Sequence, residues 1–176
     1  MTLYQKEEKK NILDLCTGSG CIGISLAKYF VNSSIYVSDI SEKALLIAKK
    51  NSEKNKVANV QYIQSNLFEN IQNSFDVIVS NPPYIASKEI PYLPKEVQKE
   101  PHVALDGGIE GMEFYHKIIQ EAPRYLKKEG YLCLEMGYDQ KEKIRNLIEK
   151  SGYLKNCYIK KDLAGIDRMI VAQKKQ

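Results

Sequence analysis

Short apolar runs alternate with longer helix-spaced segments along nearly the whole chain, and this alternation limits the fold more than any other feature. NILDL at 11–15 reads as a strand, and the glycine turn behind it leads into a helix, CIGISLAKYF, at 21–30. A second strand at 34–40 precedes a helix over 41–55, with Ser41 as N-cap and Ala44, Leu45 and Ala48 at helical spacing. Strands are expected at 60–66 and 75–81, and residues 85–109 are expected to be irregular. A helix is expected over 111–128, with Pro123 kinking it or starting a second segment. The pattern closes with a strand at 130–137, a helix at 138–152 capped by Gly152, and strands at 153–162 and 167–173 with no helix between them. Alternating strands and helices bury their apolar faces as a parallel sheet covered on both sides. Two consecutive strands joined by a short turn must run antiparallel. The expectation is an α/β, doubly wound, seven-stranded sheet with an antiparallel last strand. Ligands of such sheets bind beyond the carboxyl ends of the strands, at the topological switch point.

The 176 residues suffice for one sizeable core, so one domain is expected over 1–176, with residues 1–10 as a charged lead-in. Hydrophobic residues make up 43% and charged residues 27%, the composition of a soluble globular protein. The net charge of +4 comes largely from scattered lysines and fits a solvated surface better than a nucleic-acid footprint. Cys16, Cys21, Cys133 and Cys157 include no C-x-x-C pair, and His102 and His116 are the only histidines, so no metal site is expected. No apolar run of membrane length or signal peptide is visible, and the free thiols suit a reducing cytoplasm.

The turn after the first strand reads DLCTGSGCIG, residues 14–23. Gly18, Gly20 and Gly23 satisfy G-x-G-x-x-G and Asp39 ends the second strand, so an NAD-dependent oxidoreductase is one reading. A plain tight turn with a capping aspartate is another. Asp14 weighs against a dinucleotide, because a carboxylate at the mouth of the strand repels a pyrophosphate and suits an amine-bearing ligand. Residues 14–20 resemble the acidic-x-G-x-G-x-G motif of class I methyltransferases, with Cys16 where the first glycine usually stands. That resemblance implies S-adenosylmethionine as cofactor. It places Asp14 at the amino group, and Thr17, Gly18 and Gly20 where the backbone must approach closely. Asp39 and Ile40 then fall at the ribose, and Asn66 and Leu67, with Phe68, beside the adenine.

A second conspicuous stretch is FDVIVSNPPYIAS, residues 75–87. Two prolines cannot continue a ladder, since each lacks an N–H and has a fixed φ. The plain reading is a strand-terminating turn. The chemical reading is a holder for a planar NH₂ group: the Asn81 side-chain oxygen and the Pro82 carbonyl accept its two hydrogens, and Tyr84 stacks on it. The otherwise delocalised lone pair is then presented to a methyl donor by positioning and electrostatic preorganisation. A methylated amide nitrogen is strongly acidic, so no general base is needed at the outset and the lack of a nearby histidine is no objection.

Taken together, DLCTGSGCIG, SDIS, SNPPYI, EVQKEPHVALDGGIEGMEFY, LEMGYDQ and KDLAGIDRMI resemble the release-factor glutamine methyltransferases (the PrmC/HemK family) over nearly the entire chain. The resemblance implies a class I S-adenosylmethionine-dependent methyltransferase fold. It also implies methyl transfer to the side-chain amide of the glutamine in the Gly-Gly-Gln motif of a peptide-chain release factor, giving N5-methylglutamine. The implied catalytic residues are Asn81, Pro82 and Tyr84. The implied cofactor residues are Asp14, Thr17, Gly18, Gly20, Asp39, Ile40, Asn66, Leu67 and Asn81. Substrate contacts are implied for Asn81, Pro82, Pro83, Tyr84, Glu100 and Pro101, with Gly107 shaping the channel. The implied partner is the release factor, with nucleic acid involved only through translation.

An N6-adenine-type DNA methyltransferase shares the Asn-Pro-Pro-Tyr chemistry on a flipped base. This chain has no further segment of the size needed to grip a duplex. A non-enzymatic cofactor-binding or release-factor-binding module is a third reading. Asn66 stands where the family commonly has Asp. The family's helical amino-terminal domain is not in this sequence, so the chain is expected to fold and bind cofactor but to methylate poorly by itself. Elsewhere, Glu135 is read either as lining the pocket or as satisfying backbone N–H groups, and Arg168, which follows Asp167, as a member of a turn ion pair rather than a catalytic residue.

Overall fold

A computed structural model describes residues 7–176, without the side chain of Asn156; the first six residues of the lead-in lie outside the described part. In chain order the elements are β1 (Asn11–Leu15), α1 (Cys21–Tyr29), β2 (Ser34–Asp39), α2 (Glu42–Asn55), β3 (Val60–Gln64) and β4 (Phe75–Ser80). Then follow α3 (His102–Leu105), α4 (Glu113–Tyr125), β5 (Leu126–Glu135), α5 (Lys141–Ser151), β6 (Leu154–Lys161) and β7 (Asp167–Lys174). The seven strands form one sheet in the order β3-β2-β1-β4-β5-β7-β6. The pairs β1–β2, β1–β4, β2–β3 and β4–β5 are parallel, and β7 runs antiparallel to both β5 and β6. The expected sheet, including its reversed last strand, is the one observed.

Both faces of the sheet are covered, as the continuous apolar runs of its strands require. Leu13, Leu15, Ile78, Leu132 and Leu134 point to one face and pack with Tyr115, Ile118, Ile144 and Ile148 of α4 and α5. Ile12, Ile35, Val37, Val77 and Cys133 belong to the other face, with Ala27 of α1 and Leu45 of α2. Ser41 caps α2 as expected, its side chain accepting from the Ala44 N–H, and Gly152 ends α5 at φ 74°. Among the described residues no helix is long and apolar enough to cross a membrane.

Three local expectations are corrected. Residues 85–109 are not wholly irregular, since they contain 3₁₀ turns at Ile90–Tyr92 and Val97–Lys99 and the short α3. No second helical segment starts at Pro123, which lies in the last turn of α4; there the missing N–H costs a single bond, and the apolar face packs on the sheet. β5 begins at Leu126 rather than 130, because Leu126 pairs with Phe75 before a register shift leads to the Val77–Tyr131 pair. The turn ion pair expected of Arg168 is present, its partner being Asp162 across the β6–β7 turn (3.2 Å), while Asp167 pairs with Lys141 (3.1 Å) and Lys161 (3.5 Å).

One close approach sets how α1 lies on the sheet. The Gly23 N–H donates to the buried Asp14 Oδ2 at 2.7 Å, and a Cβ on Gly23 would press on Val37 Cγ1 and lie 3.0 Å from that carboxylate oxygen. Gly23→Ala is therefore expected to destabilise the protein by about 1–3 kcal/mol through overpacking. That outweighs the roughly 1 kcal/mol by which alanine is the better helix former. Thermal denaturation should show a midpoint lower by several degrees; an unchanged or higher midpoint would show that α1 does not need this contact.

Candidate active site

Every loop singled out in the sequence leaves the sheet at its carboxyl edge, and the two most important leave it side by side. β1 and β4 are neighbours in register, Asp14 with Val79 and Leu15 with Ser80. The Ser80 hydroxyl donates to the Leu15 carbonyl at 2.7 Å, so the glycine loop and the Asn81 corner start from one fastened point. From β1 the order runs outward to β2 and β3, and from β4 to β5, which makes this point the switch in strand order.

Asp14 lies beneath the loop at 1% exposure. Its Oδ2 accepts from the Thr17 hydroxyl and the Gly23 N–H, while its Oδ1 is buried without any partner. Burial pushes the carboxyl up to about 6, against the opposing pull of the Thr17 and Gly23 hydrogen bonds. An unpaired buried carboxylate oxygen is costly unless a donor reaches it. Asp39 ties the loop to the next strand: its Oδ2 accepts from the Gly18 N–H (2.8 Å) and its Oδ1 from the Ser41 N–H (2.9 Å). Each oxygen keeps a second lone pair for a diol. Thr17 is buried and donates its N–H to the Ser38 carbonyl, 2.9 Å.

The glycines divide by purpose. Gly18, at φ 55°, has nothing within 4 Å of the position a Cβ would take, so its open side is free for a ligand. Gly20, at φ 85°, would drive a Cβ to 2.8 Å from Ile24 and 2.9 Å from Ala48, so its small size also serves helix packing. Cys16 holds the left-handed region at φ 61°, which explains why a glycine suits that place. Its thiol is pushed up to about 12, chiefly by burial and then by the Asp39 charge, and is no nucleophile.

At the corner Asn81 is exposed, Pro82 and Pro83 are buried, and Tyr84 is half-buried. The Asn81 side chain and the Pro82 carbonyl have no hydrogen bond within the described residues, so both acceptors are available. Burial raises the Tyr84 phenol pKa, and the Glu135 charge adds to it. Glu135 is half-buried, and its carboxylate takes no backbone N–H; the Arg168 charge acts on it, and its carbonyl accepts from the Tyr115 hydroxyl at 2.8 Å. The reading in which the Glu135 carboxylate satisfies backbone N–H groups is therefore not the one observed.

The other residues are more dispersed. Asn66 is exposed, and its Nδ2 donates to Glu69 Oε1 at 2.8 Å, which leaves its oxygen as acceptor. Leu67 and Phe68 are buried, Phe68 stacking on Tyr125 at 4.7 Å, so they belong to the core at this edge. Ile40 is half exposed beside Asp39. Glu100 and Pro101 are exposed, and Glu100 lines a groove of about 250 Å³ with Ser87, Ile90, Gln98 and His102. Sequence reasoning missed Gln140: it carries no periodic signal, and only the fold shows it buried behind the corner.

Comparison with known proteins gives the site a lineage. Residues 1–100 match the methyltransferase small domain. The chain is 41% identical over 175 residues to a release factor glutamine methyltransferase of Fusobacterium nucleatum, covering 98% of this chain and 49% of that protein. It is 40% identical over 136 residues to a ribosomal protein uL3 glutamine methyltransferase of Francisella tularensis, covering 76% of this chain and 43% of that protein. The chain thus spans about half the length of these curated relatives. Its fold superposes on a ribosomal protein L11 methylase of Lactobacillus delbrueckii with a TM-score of 0.69 at 17% identity, covering 96% of this chain and 72% of that one. A sheet of this order, a glycine loop over a buried aspartate and a matched stretch of a hundred residues agree: the chain belongs to the methyltransferase small domain family.

Proposed function

We propose that this chain is the catalytic domain of an S-adenosylmethionine-dependent protein-(glutamine-N5) methyltransferase. Its substrate is the Gly-Gly-Gln glutamine of a peptide-chain release factor. The observation that carries the reading is the pairing of β1 with β4, which sets a corner with two unengaged acceptors, Asn81 and Pro82, beside a loop floored by an unpaired carboxylate oxygen. Identity of about 40% to named glutamine methyltransferases supports the substrate class. A cytoplasmic location, where translation ends, suits such a substrate.

The residues present fit the cofactor. The buried Asp14 Oδ1 lacks a donor that an ammonium group provides, Gly18 leaves open space, and Asp39 retains lone pairs for ribose hydroxyls. S-adenosylmethionine supplies an electrophilic methyl group. The chain holds the amide hydrogens on the Asn81 oxygen and Pro82 carbonyl, so that the nitrogen faces the donor. The buried prolines restrict the backbone that carries the Pro82 carbonyl, and Tyr84 covers the planar group.

Methyl transfer to purified release factor, with uL3 offered in parallel, tests the reading. Asn81→Ala is expected to lower turnover by about a hundredfold or more. Cofactor affinity, read by calorimetry, should stay within about threefold. Asp39→Ala should instead weaken cofactor binding by about tenfold or more, the loss expected for hydrogen bonds to a charged group. Transfer to uL3 but not to release factor would overturn the assigned substrate, and transfer untouched by Asn81→Ala would overturn the role of the corner.

The Asp14 carboxyl also predicts a pH dependence. A folded-state value raised to about 6 means that its contribution to the stability of the free protein is present at low pH and lost as pH rises through about 6. A ligand ammonium prefers the ionised form. Cofactor affinity should therefore strengthen between pH 5 and pH 7 around the raised value of about 6, and Asp14→Asn should flatten that rise. An equally steep rise in the variant would assign the titration elsewhere.

A further inference from the structure

We infer that Gln140 is a positioning residue for the Asn81–Tyr84 corner, pinning it and the Gly107–Gly111 loop to the end of β5; this rests on the reading of that corner as the holder of the reacting amide. Gln140 is 7% exposed and immediately precedes α5. Its Nε2 donates to the Tyr84 carbonyl at 2.9 Å and to the Gly111 carbonyl at 3.1 Å. Its Oε1 accepts from the Gly137 N–H at 3.0 Å and lies 3.3 Å from the Tyr115 hydroxyl, which donates to the Glu135 carbonyl at 2.8 Å. One primary amide thus joins three separate stretches of backbone with both of its hydrogens and its oxygen.

The chemistry of the partners allows only this side chain in this orientation. Two carbonyls need two hydrogens, and the Gly137 N–H needs an acceptor on the opposite side. A carboxylate would turn acceptors toward the carbonyls, and an ammonium would offer Gly137 nothing. The surrounding loop is pressed against the corner at Gly107 and Gly111, where no side chain has room. A Cβ on Gly107 would lie 2.8 Å from Tyr84 Cα and 2.9 Å from the Pro83 carbonyl, and one on Gly111 would collide with the Tyr84 carbonyl. Beyond the corner, the Ile85 N–H donates to Leu105 (3.0 Å) and Gly107 donates back to Ile85 (2.8 Å).

Tyr84 is separated from Asn81 by the two prolines, whose fixed φ angles leave little slack. Holding the Tyr84 peptide therefore holds the Pro82 carbonyl and the Asn81 backbone. A displacement of about 1 Å at a reacting centre is enough to lose much of the rate. This gives a buried amide far from the cofactor loop in sequence a direct bearing on turnover without touching substrate.

Amide hydrogen exchange and kinetics on Gln140→Met, a side chain of similar length without donors, test the inference. The Ile85 and Gly107 amides should exchange at least about tenfold faster than in the unsubstituted protein, with the Leu13 amide of β1 unchanged. Turnover should fall by about tenfold or more while cofactor affinity stays within about twofold. Unchanged exchange at Ile85 and Gly107, or faster exchange with unchanged turnover, would overturn it. Should the variant not fold, the unsubstituted protein decides: those two amides must exchange as slowly as Ile78 in β4, and exchange at open-loop rates refutes the pin. Absence of methyl transfer by the unsubstituted protein would instead count against the proposed function, with exchange still deciding whether Gln140 holds the corner.

Discussion

The pairing of β1 with β4 is the interaction on which the rest of the structure depends. Its register brings Leu15 and Ser80 together, and the Ser80 hydroxyl closes on the Leu15 carbonyl at the edge itself. Sixty-five residues of chain separate the two strands' ends, so neither loop alone holds the elements of a site. Parallel pairing sends both chains off the same edge, and the change in strand order beside them leaves a crevice that no crossover helix covers. Had β4 been antiparallel to β1, the glycine loop and the asparagine–proline corner would lie at opposite ends of the sheet.

Two buried polar side chains then give this edge its shape, and they contrast in a useful way. Gln140 is fully satisfied, and a satisfied buried amide stiffens the backbone it joins. Asp14 is only half satisfied: one oxygen accepts from Thr17 and Gly23, and the other is alone. The first arrangement suits a wall that must not move. The second leaves one buried acceptor open, and burial raises the carboxyl pKa toward neutrality.

Much of this was legible in the residues themselves. The seven strands, the reversed last one, the Ser41 cap and the Gly152 stop follow from periodicity and from local backbone chemistry, which act over a few residues. The candidate loops were legible because glycine and proline mark backbone geometry directly. Less was legible where long-range contacts chose between local options. Arg168 met Asp162 rather than its neighbour Asp167 because the hairpin turn folds Asp162 back, while Lys141 of α5 and Lys161 reach Asp167. The start of β5 moved to Leu126 because Phe75 offered it a partner. Gly20, read as ligand clearance, proved also to be packing clearance against α2.

By itself, then, the sequence determined the kind of layers, the strand count, and the residue types that stand at each turn, since these depend on hydrophobic period and on the φ preferences of glycine and proline. Only the tertiary structure decided that Asn81 and Pro82 keep their acceptors unengaged, that Asp14 keeps one oxygen unpaired, and that Gln140 reaches across to Tyr84 and Gly111. The physical reason is that hydrogen-bond satisfaction is a property of neighbours in space. Which carbonyl meets which amide depends on the register of strands far apart in the chain, and no local pattern carries that information.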